Sequence, residues 1–150
     1  MPFESRLFVK TSLAGLALTF LLGAVILTCQ SLGSPLPAIV SVEHAHLGFV
    51  GWLVNLVIGI ALWFLPLNRE AFPETQGRYP RRVPETIFAL LNGGLAIRLV
   101  GEPLALTGEA PLLRPLVIVS AFAQFAAIVL FGYIAWQRVR RPPNPAPGVR

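Results

Sequence analysis

The side chains best suited to chemistry are His44 and His46, the only two histidines in the chain. On a helix, positions two apart point about 200° away from each other. One metal ion or one heme iron does not easily take both, unless the helix starts after His46. The faces they mark differ. The His44 side continues through Gly48, Gly51, Asn55 and Gly59, and turns bulky only at Leu62. The His46 side carries Val50, Leu53, Val57, Ile60 and Phe64, a stripe suited to lipid, a partner or the edge of a flat apolar ligand. In membranes, small residues mark close helix contacts and polar residues face the bundle interior. That makes His44 the better interior candidate. A glycine one turn below it leaves the room that a planar macrocycle bound through the imidazole needs. The same residues also fit a histidine that hydrogen-bonds water or a headgroup, above a glycine stripe that serves only packing. A copper or zinc site built from Glu43 with either histidine is a third reading.

Other polar residues sit inside apolar runs: Asn92, Arg98, Ser120 and Gln124. Arg98 is the most expensive to place there, and Glu102 lies four residues on, in position to neutralise it in part. Arg98 either meets an acidic group, such as a heme propionate, or snorkels to the headgroups. Asn92-Gly93-Gly94 and the Gly15, Thr19, Gly23 series read as packing faces. Trp52 lies near the His44 face, while Trp63 and Trp136 fit an aromatic belt. Cys29, the single cysteine, excludes an intramolecular disulfide and reads as a buried thiol rather than a ligand. There is no phosphate-binding glycine loop, nucleophile elbow or Cys-x-x-Cys pair.

The elements that must position these residues are membrane helices. Of 150 residues, 55% are apolar and 13% charged, where a soluble domain carries roughly a quarter charged. The charges cluster and leave four runs long enough to span, at about 11–31, 42–65, 86–106 and 116–136. The chain therefore reads as an all-α, four-transmembrane-helix bundle over 1–140, with a Pro-rich, extended or disordered tail at 141–150. Gly33-Ser34-Pro35-Leu36-Pro37 separates the first two spans. Pro66, Pro73, Pro80 and Pro84 bracket the second connection, and Pro103 and Pro111 mark the third. Ser41 is the expected N-cap of the second span, with Glu43 in its first turn. Thr28 before Cys29 makes a poor lipoprotein cleavage site, so the first run reads as a retained helix.

Net charge is +5. The basic residues flank apolar runs, which points to headgroups rather than nucleic acid. Arg6, Lys10, Arg69, Arg78, Arg81, Arg82, Arg138, Arg140 and Arg141 fall at one membrane side. Glu43, Glu102 and Glu109 fall at the other, with Arg98 and Arg114 near them. The positive-inside rule then puts both termini in the cytoplasm, in a cell inner membrane.

The stretch His44-Ala45-His46-Leu47-Gly48-Phe49-Val50-Gly51-Trp52, continuing to Gly59 and ending Trp63-Phe64-Leu65-Pro66, resembles the second transmembrane helix of the heme–copper oxidase subunit I superfamily. The likeness is to the nitric oxide reductase and C-type oxidase branches, and to short four-helix relatives with a His-Ala-His-Leu start. It covers this helix well and the rest only by layout. It implies heme b, with an axial histidine at the outer start of the helix. The His-x-x-Leu match favours His44, with His46 as the fallback. Arg98 would then be a propionate partner, and Gly48, Gly51, Trp52 and Asn55 would line the cofactor face.

The departures limit the activity. A second heme ligand on a late helix and the histidines of a binuclear centre have no counterpart here. A complete oxidase or reductase is therefore not expected from this chain alone. The resemblance implies a small electron-transfer, redox or gas-responsive subunit. Its second ligand would come from a two-fold homodimer or a larger respiratory complex. A cofactor-free structural or assembly subunit is the alternative.

Overall fold

The computed structural model describes residues 1–139, so the expected tail at 141–150 lies outside the described residues. Four helices are long and apolar enough to cross a bilayer: α1 (Phe3–Ser31), α2 (Ala38–Phe64), α3 (Arg82–Leu106) and α4 (Arg114–Arg138). Single 3₁₀ turns at Pro73–Thr75 and Pro111–Leu113 punctuate the connections. No strand occurs among the described residues. The chain is a multi-pass membrane protein.

α1, α3 and α4 overrun the apolar runs that announced them, because charged and polar residues extend helices into the interface. α1 starts at Phe3, with Glu4 in its first turn, and stops where Gly33 turns left-handed at φ +73°. The amides of Gly33 and Ser34 then bond back to the carbonyls of Gln30 and Cys29, closing the helix end. α2 starts at Ala38, directly after Pro37. The expected cap at Ser41 is therefore corrected: Pro35 and Pro37 hold the preceding chain extended, and Ser41 sits inside the helix. Pro103 is likewise inside α3 rather than in the connection. Its ring removes one amide, and the helix survives to Leu106 before Gly108, at φ +87°, turns the chain.

The middle of α2, Leu47–Val54, is a π-helical segment with i→i+5 bonding. It slows the rotation of side chains along the helix. The buried positions run Glu43, Leu47, Gly51 and Asn55, three successive steps of four, and continue at Ile58, Gly59 and Leu62. A pure α-helix would carry that stripe off the interior by roughly 40° per step.

Successive helices run antiparallel. Gly15 on α1 meets Gly51 on α2 so closely that a Cβ would lie 2.5 Å from the Gly51 carbonyl oxygen. Gly59 rests on Ser5, Phe8 and Val9, and Gly94 of α3 rests on Ser120 and Gln124 of α4. These are small-residue contacts of the kind that let membrane helices approach without a hydrophobic driving force.

The apolar core, Phe8, Ile58, Leu62, Tyr79, Ile87, Leu91, Ala127 and Ile134, gathers toward the end that carries the N-terminus and the connection between α2 and α3. Arg138 locks that end. It is 2% exposed and donates through Nε to the Pro66 carbonyl at 3.0 Å, through Nη1 to that of Leu62 at 3.2 Å, and through Nη2 to that of Leu65. It thus caps the C-terminus of α2. Its guanidinium lies over the Tyr79 ring at 5.2 Å. Read from sequence, Arg138 was one more flanking charge.

Candidate functional site

At the opposite end of the bundle, Glu43 sits on the buried stripe of α2, and the two histidines flank it. His44 turns to α1. Its Cε1 is 3.0 Å from where a Cβ on Gly23 would be, so the imidazole lies directly on the glycine backbone. Thr19, Phe20, Gly23, Ala24, Leu27 and His44 line a groove of about 410 Å³, within the range of ligand sites. The Nδ1 of His44 is buried without a hydrogen-bond partner.

His46 turns the other way, toward α3, and not onto the bulky stripe. Leu53, Val57, Ile60 and Phe64 are exposed as expected, but they lie beyond or late in the π segment. The projection from His46 assumed an unbroken α-helix and is corrected by that change of rotation. The Nδ1 of His46 is 3.9 Å from Oε2 of Glu43, longer than a hydrogen bond. Glu102 of α3 joins them: one donor atom each from Glu43, His46 and Glu102 lie within 4.8 Å of one another. Glu43 is 4% exposed, and neither of its oxygens has a hydrogen-bond partner. Arg98 binds Oε2 of Glu102 through Nη2 at 2.7 Å and Nε at 2.8 Å.

The predicted residues thus separate into three places. His44 belongs to the α1–α2 groove. His46 and Arg98 belong to the α2–α3 cluster, and the groove lining includes no cation. The pairing of His44 with Arg98 around one ligand is therefore not formed. Gly48 and Gly51 are packing positions: a Cβ at Gly48 would meet Thr19 at 3.1 Å, and one at Gly51 would meet Leu47 and Leu95. Trp52 is half-buried, with its amide nitrogen beside Gly15. Asn55 lies a further turn down and forms a reciprocal amide pair with Asn92, both bonds 3.0 Å. Its Nδ2 also donates to the Val50 carbonyl at 2.8 Å, inside the π segment. Cys29 is half-buried and outside both clusters.

Sequence reasoning placed Glu43 at a helix start and left Glu102 as a counter-ion for Arg98. The signal for their convergence was Glu43-x-x-His46, a spacing that puts both side chains on one helix face. No family model, curated protein or solved structure matches this chain.

Proposed function

We propose that this protein is a small heme b-binding membrane subunit of electron transfer or redox response, with His44 as the axial ligand. The observation that carries the reading is the His44 imidazole seated on the Gly23 backbone at the edge of an apolar groove. The donor set fits one side of the group. A neutral imidazole ligates iron, and an apolar lining of Phe20, Ala24 and Leu27 suits a macrocycle face. Heme held there would supply a one-electron couple.

The chain's own residues do the rest. Gly23 leaves the imidazole its seat against α1. Thr19 fills the space above Gly48 and holds α1 against α2. His46 is turned to α3, so a second histidine to hold the group would have to come from a second copy across the groove or from a larger respiratory partner. The concentration of Arg6, Lys10, Arg69, Arg78, Arg81 and Arg82 at the end with the N-terminus supports cytoplasmic termini in a cell inner membrane. The His44 groove then opens at the outer leaflet.

Protein purified in detergent from heme-replete cells should show a Soret band that shifts on reduction. A colourless, monodisperse preparation overturns the reading in favour of a structural or assembly subunit without a cofactor.

A further inference from the structure

Glu43 is the residue the groove leaves unused. Its carboxylate is buried at the start of the apolar zone with no donor on either oxygen. A bare carboxylate in such a place is strongly disfavoured, so something must compensate it. Arg98 is committed to Glu102, with both bonds landing on Oε2. Protonation would remove the charge, but a carboxylic acid brings a new O–H donor that itself needs an acceptor. In this arrangement His46, at 3.9 Å, lies beyond hydrogen-bond distance.

We propose that Glu43, His46 and Glu102 hold a divalent cation, bridging α2 and α3 at the end of the bundle opposite the termini. Two carboxylates and one imidazole are a ligand set for zinc, iron(II) or manganese(II). The Glu-x-x-His spacing on one helix, with a carboxylate from a facing helix, is a general way for bundles to converge donors on one ion. The three donor atoms lie within 4.8 Å of one another. Ligand bonds of about 2.0–2.2 Å require them to close to roughly 4 Å or less, a movement that glutamate rotamers allow. The two carboxylates carry two negative charges, Arg98 offsets one in part, and the cation neutralises the remainder. The site is distinct from the His44 groove, since the two histidines face different helices.

The test is zinc binding to chelator-stripped protein in detergent, followed by competition with a chromogenic indicator. One zinc per chain is expected. Glu43→Gln, Glu102→Gln and His46→Ala should each weaken binding about tenfold or more, while His44→Ala leaves it unchanged. Zinc should also raise the melting temperature of the wild type, a readout that needs no variant to fold. Wild-type protein that takes up no more zinc than the Glu43→Gln/Glu102→Gln double variant overturns the proposal. So does a loss in His44→Ala as large as in Glu43→Gln. Because the heme reading is scored by the Soret band, the two proposals fail separately.

Discussion

His44 rests on bare backbone at Gly23, and that seat can be removed without touching the histidine. A methyl at position 23 would lie 3.0 Å from the imidazole, so alanine forces a small shift and valine displaces the ring. Gly23→Val should therefore lose the Soret band, whereas Gly93→Ala, where a Cβ meets nothing within 4 Å, should keep it. Tyr79 sits outside the spans and gives a pH-dependent handle. Burial raises its hydroxyl above its ordinary value, with Arg138 pulling partly back. Its folded value is raised, so its contribution is complete below about pH 10 and is lost as pH rises through the raised value. Thermal melts in detergent at rising alkaline pH should fall more steeply for the wild type than for Tyr79→Phe. At this scale the sequence was half legible. It pointed His44 inward because glycines follow it, whereas the structure leaves His44 half-buried against α1. It could not show that Glu43 is the buried member of the turn, because Ser41 looked like the cap and made Glu43 an interface residue.

Helix α2 carries both candidate sites, and its rotation decides which helix each residue meets. The π segment Leu47–Val54 was invisible to a fixed angular step, and nothing in its residue types announces it. What it changes is local: residues below it keep their expected faces, while His46 above it swings to α3. The register between α2 and α3 is pinned by Asn55 and Asn92. Polar pairs of this kind in membranes average about 0.6 kcal/mol and reach about 1.7. A double-mutant cycle with Asn55→Ala and Asn92→Ala, read by denaturation in detergent, should give a coupling of about 1 kcal/mol, with the rest of each loss additive. The spans themselves were legible because the cost of charge in hydrocarbon leaves them nearly free of Lys, Arg, Asp and Glu, with Glu43, Arg98 and Glu102 the exceptions. Their ends were not, because interfacial residues such as Ser5 and Arg114 continue a helix as readily as they flank one.

Over the whole molecule, the apolar core and the Arg138 cap consolidate the basic end, while both candidate sites occupy the other. The division of charge that suggested an orientation is thus also a division of labour. With cytoplasmic termini, cysteine placed at Glu109 in a Cys29→Ser background should react with an impermeant maleimide in intact cells. Cysteine placed at Glu74 should react only after lysis, and the reverse pattern would invert the orientation. A bundle of four spans provides one imidazole at the groove, so any bis-histidine heme is a property of the assembly rather than of the single chain. The most direct measurement is the reduced-minus-oxidised absorption spectrum of purified wild type, His44→Ala and His46→Ala, prepared identically. The account predicts a heme b spectrum in the wild type and in His46→Ala, and none in His44→Ala. An unchanged spectrum in His44→Ala, or no heme in any of the three, would contradict it.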